Sequence, residues 1–284
     1  MTTVGKETVP DSTTDVVIAA ESPVSYGWRG FVRRRVSWVV VLLNLTIFFI
    51  AWEVFARQEI INPLYLPAPS AIFAELGEMW ATGLLQEHLV YSLRNFAIGL
   101  LLSALVGIPL GLLMGASRIV DAIFSPYVWA MASLPRVALI PLLILILGFS
   151  DTAKITLIFL SAVFPIIVNC MAGVKTVEPS LLRAGRVFGA SRPALYAKVV
   201  FPYTLPFIIS GLNQGMSRGL VGLVIAEIFG GNDGLGFLLS RAGETFNGPR
   251  LYGILLVLVI IALTFVQTLR WIEVKIAPWR NQTA

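Results

Sequence analysis

Long runs of uncharged, apolar residues constrain this chain more than any other feature of its sequence. Val36–Trp52, Ala97–Ser117 and Leu251–Leu269 contain no charged residue. A helix of about 20 such residues is long enough to cross the roughly 30 Å hydrocarbon core of a bilayer. Only 13% of the residues are charged, whereas soluble proteins have about 25%. The sequence therefore excludes an ordinary soluble domain and predicts an all-α membrane protein.

Six segments have the length and hydropathy of transmembrane helices. The third is the weakest, because Arg136 interrupts it directly after Pro135. We still predict a span there, since the residues on both sides of that arginine are apolar. The predicted spans are 36–56, 88–115, 123–147, 154–174, 200–229 and 250–272.

Lys and Arg residues are distributed unequally between the two ends of these spans. With the N-terminus placed in the cytoplasm, most of the 21 Lys and Arg residues lie in cytoplasmic segments. Because cytoplasmic loops retain positive charge, both termini are predicted to be cytoplasmic. The basic residues are dispersed rather than gathered on one face, so membrane orientation explains them better than binding of nucleic acid.

Polar segments lie on both sides of the first span. Residues 1–35 are predicted to be a disordered cytoplasmic tail. The three arginines before the apolar run resemble the start of a signal peptide, but that run is long and has no small-x-small cleavage site. We therefore interpret 36–56 as an uncleaved anchor helix.

Residues 57–87 form the predicted first extracytoplasmic loop. Apolar residues at helical spacing predict a short amphipathic helix on the outer interface, N-capped by Ser70. These apolar residues are Ile72, Phe73, Leu76, Met79 and Trp80.

The chain lacks the residue patterns of common catalytic and metal sites. Cys170 is the one cysteine, which excludes an intrachain disulfide and a CxxC site, and His88 is the one histidine. The only Gly-Lys pair, Gly5-Lys6, is followed by Glu7, so there is no Walker A loop. We therefore expect a non-catalytic chain with no cofactor of its own. The glycine-rich segment 230–236 is open to two interpretations, a phosphate cradle or, as we favour, a turn before a short re-entrant helix.

Small and charged residues recur inside the predicted spans. The charged residues Arg94, Arg136, Arg218 and Glu227 each need a partner or a water-filled cavity, so they are candidates for a translocation path. Arg94 and Arg136 have the alternative of snorkelling or of interhelical hydrogen bonds. A stripe of small residues at every fourth position is typical of helix packing, with a substrate path as the alternative. This stripe consists of Gly99, Ser103, Gly107, Gly111 and Gly115.

The loop at 175–199, between the fourth and fifth predicted spans, carries apolar residues on the cytoplasmic side. A short helix is predicted to begin at Pro179–Ser180 and to end at Gly189, because glycine accepts the left-handed conformation of a helix end. Exposed contiguous apolar surface marks an interface, so we predict that this loop docks into a partner. The apolar residues are Leu181, Leu182, Ala184, Val187 and Phe188.

The same loop carries a recognisable motif. Arg183-Ala184-Gly185-x3-Gly189-x9-Val199-Val200-Phe201-Pro202 resembles the EAA loop of permease subunits of binding-protein-dependent ABC importers, whose pattern is Glu-Ala-Ala-x3-Gly-x9-Ile-x-Leu-Pro. Shorter motifs resemble the branch that handles nitrate, sulfonates, taurine and related small molecules. They are 64–69, 92–94 with Gly99, 107–111, 139–142 with Gly148, and 189–191.

This resemblance, which covers residues 60–280, implies a fold and a set of partners. The fold is that of a type I importer permease (MetI-like), with six transmembrane helices, a core at 88–280 and a coupling helix. The implied partners are a second permease copy in a homodimer, two cytoplasmic ATPase subunits that bind ATP and Mg, and an extracytoplasmic solute-binding protein. The implied location is the bacterial plasma (inner) membrane. The residues implied to contact the ATPase are Leu181, Leu182, Arg183, Ala184, Gly185, Val187, Phe188, Gly189 and Ala190.

Two residues depart from the EAA motif, and two other functions are alternatives to that of an importer permease. Arg183 stands where the motif has glutamate and Gly185 where it has alanine, and Arg183 cannot complete a capping box with Ser180. An ion-gradient-driven secondary transporter would show repeated halves, and no internal repeat is visible. A membrane scaffold that transports nothing is the other alternative.

Overall fold

Apolar helices make up most of the chain in a computed structural model that describes residues 28–58, 62 and 64–276. Within this part of the chain there is no β-strand. A 3-10 helix (Arg136–Leu139) precedes α5, and a π-helix (Tyr196–Val200) joins α8 to α9. The α-helices are α1 (Trp28–Arg57), α2 (Pro69–Ala81), α3 (Leu84–Ala116), α4 (Arg118–Ser133), α5 (Ile140–Leu147), α6 (Asp151–Lys175), α7 (Pro179–Val187), α8 (Arg192–Leu195), α9 (Phe201–Phe229), α10 (Leu235–Glu244) and α11 (Gly248–Ile276).

Five helices are long and apolar enough to cross a membrane, and a sixth crossing requires a bent pair of helices. The five correspond to the predicted spans 36–56, 88–115, 154–174, 200–229 and 250–272. The span predicted at 123–147 falls on this bent pair of helices. Residues Arg118–Ser133 and Arg136–Leu147 are two segments with a 96° bend between them. The break falls at Leu134 and Pro135, because proline cannot donate the backbone hydrogen bond that would continue α4.

The predicted tail at 1–35 is corrected in its last residues. Residues 1–27 lie outside the described residues, whereas 28–35 already belong to α1. The chain divides into two units after Ala51. The second unit, which begins at Trp52, contains every feature discussed below.

Two stripes of glycine let α3 and α9 approach α6 closely. A Cβ atom placed at Gly99 would lie 2.6 Å from the Ile158 side chain, and one at Gly111 would lie 2.6 Å from the Ile167 carbonyl oxygen. The predicted stripe on α3 thus lies against α6. A second stripe on α9 also packs against α6 and was absent from the sequence analysis, although its spacing is visible in the sequence. It consists of Gly211, Gly215, Gly219 and Gly222.

The amphipathic helix of the first loop exists as α2, but Ser70 is not its N-cap. The helix begins one residue earlier, at Pro69, and Ser70 instead binds the Glu53 carboxylate of α1. The Ser70 backbone N–H donates at 3.0 Å and its hydroxyl at 2.7 Å. Proline is favoured at the first helical position because an N–H there would have no partner within the helix, so α2 begins at Pro69 and Ser70 lies in its first turn. Ile72 and Met79 are buried, and Glu75 accepts a 2.6 Å bond from Arg250 of α11.

Gly111→Val is expected to destabilise the helical core. The added side chain would collide with the backbone and side chains of α6, and overpacking of this kind costs about 1–3 kcal/mol. Thermal unfolding of the detergent-solubilised protein should show a lower midpoint. Gly77→Ala is the matched control, because nothing lies within 4 Å of a Cβ atom at that position. An unchanged midpoint for Gly111→Val would show that α3 and α6 do not pack as closely as described.

Candidate functional site

The helix α7 stands apart at one end of the bundle and has a sharply defined C-terminus. Gly189 adopts a φ of +77°, in the left-handed region that favours glycine. Its N–H donates to the Arg186 carbonyl at 2.9 Å, and the Ala190 N–H donates to the Gly185 carbonyl at 3.0 Å. These two bonds form a Schellman motif, which satisfies the last carbonyls of the helix. The predicted limits of the helix, near Pro179–Ser180 and at Gly189, are confirmed.

The exposed side of α7 carries large apolar side chains. Phe188 is 89% exposed and Val187 is 85% exposed, while Leu181 is 43% exposed. Of the other predicted contact residues, Arg183 and Ala184 are exposed, and Leu182 and Ala190 are partly buried. No described residue covers the two side chains at the C-terminal end of α7, so the helix presents them to whatever lies beyond the bundle.

Gly185 explains one departure from the EAA motif. Its Cα lies against the side chain of Leu195, which is buried at 5% exposure, and a Cβ atom at position 185 would overlap the Leu195 methyl group. The absence of a side chain at Gly185 therefore lets α7 pack closely against Leu195 of α8. From α8 the chain continues through the π-helix directly into α9. The position of α7 is thus linked by continuous backbone to a core helix.

Basic side chains lie on α7 and on the segment that follows it. Those of the helix and the segment after it are exposed and make no ion pair with any described residue. Together they form what is called the positive rim below, a set of exposed charges near the apolar tip in the chain. These residues are Arg183, Arg186, Arg192 and Lys198.

At the opposite end, the carboxylate of Glu227 anchors the glycine-rich loop. Glu227 has no exposed surface and accepts hydrogen bonds from the Ser92 hydroxyl at 2.7 Å and the Gly236 N–H at 2.8 Å. The Ser92 hydroxyl oxygen also accepts from the Leu235 N–H at 2.8 Å. The loop amides therefore bind an internal carboxylate and lead into α10, which agrees with a turn before a short helix rather than a phosphate cradle.

His88 and Gly234 complete this contact between α3 and the loop. The Gly234 N–H donates to His88 Nδ1 at 2.9 Å. Gly234 has a φ of +109°, and a Cβ atom there would overlap the Glu227 carboxylate. Only glycine permits so close an approach of backbone to carboxylate. The residues Ser92, Glu227 and 234–236 are called the outer lock below.

A buried lysine next to the outer lock was not recognised from the sequence. Lys154 is only 3% exposed, and its Nζ donates to the Tyr91 hydroxyl at 2.7 Å. The Tyr91 hydroxyl in turn donates to the Asp151 carboxylate. The sequence does not reveal this contact, because the partner Tyr91 is 63 residues away in the chain. Only the spacing of Asp151 and Lys154 within one helical turn gave a signal.

The four predicted path residues lie in different surroundings. Glu227 belongs to the outer lock, and Arg94 is exposed on α3. Arg136 lies at the break between α4 and α5, where it donates to the carbonyls of Ala132 at 2.8 Å and Leu134 at 3.1 Å. Arg218 is exposed on α9 and makes no ion pair with a described residue. Their role in a path stays a prediction.

Comparisons with known proteins agree on one family. The family described as binding-protein-dependent transport system inner membrane component matches residues 107–281. The taurine transport system permease protein of Escherichia coli is 33% identical, covering 90% of this chain and 94% of that protein. A putative aliphatic sulfonates transport permease protein of Bacillus subtilis is 29% identical, with 88% and 90% covered. The formylaminopyrimidine transport permease protein of Halalkalibacterium halodurans is 30% identical, with 84% and 97% covered.

A solved structure confirms the predicted fold. A chain of the MetNI methionine ABC transporter in an inward-facing conformation superimposes with a TM-score of 0.62. The match covers 71% of this chain and 98% of that chain, at 21% sequence identity. The helices described above therefore adopt the type I importer permease fold.

Glu227→Gln is expected to loosen the outer lock. The amide keeps the shape of the side chain but loses the negative charge. Its NH2 group would also face the Ser92 hydroxyl or the Gly236 N–H, each of which is itself a donor in this contact. A hydrogen bond to a charged group is worth about 1.5–3 kcal/mol. Amide hydrogen exchange at Leu235 and Gly236 should accelerate, and the thermal midpoint should fall.

Glu244→Gln is the control for this substitution. Glu244 and Arg241 are both exposed and 3.8 Å apart, and such surface pairs contribute little to stability. If the two variants had equal effects on hydrogen exchange, the carboxylate of Glu227 would not be what holds the loop.

Proposed function

The chain belongs to the family of binding-protein-dependent transport system inner membrane components, and we propose that it forms the translocation path of an ATP-driven importer for a small sulfonate-type anion. Members of this family are integral inner membrane proteins that act as transport permeases. In this proposal two copies of the chain enclose the path, two cytoplasmic ATPase subunits drive it with ATP and Mg, and an extracytoplasmic binding protein delivers the solute.

The similar proteins support the choice of solute. Two of those reported above are named for taurine and for aliphatic sulfonates, and each matches at least 88% of this chain. Both names refer to small organic molecules with a sulfonate group. A third is named for formylaminopyrimidine, so family membership alone does not define the solute.

The apolar tip of α7 is the observation that carries the proposed coupling to an ATPase. Burial of a Val or Phe side chain contributes about 1.5–3 kcal/mol, and Val187 and Phe188 lie side by side with almost their whole surfaces exposed. The positive rim favours a groove edged with acidic residues. A cleft on a cytoplasmic ATPase subunit has the position to receive them, because the predicted orientation places α7 in the cytoplasm.

The backbone after α7 provides a route by which ATP binding acts on the path. A displacement of α7 passes through Leu195 and the π-helix at Tyr196–Val200 into α9. Short π-helical segments often mark functional positions in helices. At its far end α9 carries Glu227 of the outer lock, so movement of one helix reaches both ends of the bundle. This is the two-state change that alternating access requires.

Phe188→Asp is expected to separate the permease from its ATPase. The substitution places a charge where the proposed cleft is apolar, so the affinity for the partner ATPase subunit should fall at least tenfold. Because Phe188 is 89% exposed, the amount and thermal midpoint of the permease itself should not change. Co-purification of co-expressed subunits and ATP-dependent uptake of taurine into proteoliposomes measure the two effects.

Phe246→Asp is the matched control, because Phe246 is 72% exposed at the opposite end of the bundle. It should leave the association with the ATPase intact. Undiminished ATPase binding by Phe188→Asp would contradict the docking role of α7. Uptake that follows an ion gradient without any ATPase would instead support a secondary transporter, and an absence of uptake under all conditions would support a scaffold.

A further inference from the structure

We propose that Arg136 and Arg218 form an anion-binding site near the middle of the helices, and that its ligand is the sulfonate group of the transported solute. This inference rests on the proposed function, which it extends from a class of solute to particular side chains. Arg136 lies at the break of the third crossing, and Arg218 lies near the middle of α9.

At the break in the helix, Arg136 uses only some of its hydrogen-bond donors. The 3-10 helix that begins at Arg136 packs against α6 and α9. One nitrogen, Nη1, donates to the carbonyls of Ala132 and Leu134 and so fixes the guanidinium group, which lies 6.0 Å from the ring of Phe164. A guanidinium group has five N–H donors. The three N–H groups on Nη2 and Nε make no hydrogen bond with a described residue. They are therefore available to bind a ligand.

Arg218 adds a second positive charge at a similar level of α6. Gly219, the next residue, packs on Ala162 of α6, and the Arg136 guanidinium group lies 6.0 Å from the ring of Phe164, two residues after Ala162. No described acidic side chain pairs with either arginine. Glu227, on the same helix, is nine residues away and buried in the outer lock. Two unpaired cations in a segment of low dielectric are unfavourable, and an anion between them removes the repulsion.

The face of α9 that carries Arg218 is polar and uncovered. Gln214, Ser217 and Arg218 share it at helical spacing and are exposed. The Gln214 Nε2 also donates to Asn169 Oδ1 of α6 at 3.3 Å. A polar strip in the middle of a membrane helix is unfavourable against lipid, so it faces a water-filled space. The glycine stripe of α9 packs on α6 and leaves this strip to line the path.

The chemistry of the two side chains selects an oxyanion. The planar guanidinium fork matches a group with two or three oxygens, such as a sulfonate, and donates paired hydrogen bonds to it. Ser217 and Gln214 provide neutral hydrogen-bonding groups beside the charges. Because Arg218 is exposed, the site keeps solvent access, which lets a bound anion leave.

A charge-selective cysteine reaction tests the site without knowledge of the natural solute. Ser217→Cys places a thiol beside Arg218, while the native Cys170 is fully buried. The probes are two methanethiosulfonate reagents of similar size, one bearing a sulfonate and one bearing a trimethylammonium group. In permeabilised membranes that contain the full-length chain, the sulfonate reagent should react faster. The rate ratio should fall about tenfold in Arg218→Gln and again in Arg136→Gln, and less at high salt.

Matched variants decide how the result is interpreted. Arg241→Gln removes an exposed arginine of α10, which is not among the predicted path residues, and should leave the ratio unchanged. Gln214→Cys, on the same face of α9, repeats the test if Ser217→Cys does not insert. Equal rates for the two reagents, a ratio that ignores both arginine substitutions, or a thiol that reacts with neither reagent would overturn the site. The reaction needs neither ATPase nor transport, so failure of ATPase coupling leaves this result intact.

Discussion

The close contact of α6 with both α3 and α9 is the constraint on which the rest of the structure depends. Helices in lipid gain little from the hydrophobic effect, so they associate through dispersion forces between surfaces that fit closely. Glycines on α3 and α9 remove the side chains that would hold the backbones apart. With α3, α6 and α9 fixed in this way, the remaining helices have defined surfaces to pack against.

The contact of α6 with α3 and α9 fixes the middle of the bundle, and the two ends of the bundle carry different features. At one end the chain leaves α6, forms α7 and returns through α8 and the π-helix into α9. At the other end Glu227 of α9 ties the glycine-rich loop to Ser92 of α3. The first feature leads directly into α9 and the second lies on it, so α9 connects a surface suited to a partner with a buried polar contact at Glu227, 39 residues after Phe188. A permease that alternates its access needs such a mechanical connection.

The middle of α9 is asymmetric for a physical reason. Its glycine face packs closely against α6, which leaves no room there for polar side chains. The face with Gln214, Ser217 and Arg218 is exposed and carries the polar groups. The bend before Arg136 brings a second cation toward this face, because Pro135 ends the preceding helix and the 3-10 helix packs on α9. The broken crossing is therefore part of the proposed path.

The sequence by itself determined the class of the protein, five of its crossings, the limits of α7 and the stripe on α3, because hydropathy, glycine spacing and cap residues act locally along the chain. Only the tertiary structure decided which distant residues meet. The 96° break depends on the angle between two helices. The contacts of Ser70 with Glu53, of Lys154 with Tyr91 and of Glu227 with Ser92 join side chains that lie 17 to 135 residues apart in the chain. Such contacts leave no periodic trace in the sequence, since each involves a single pair brought together by the packing of whole helices.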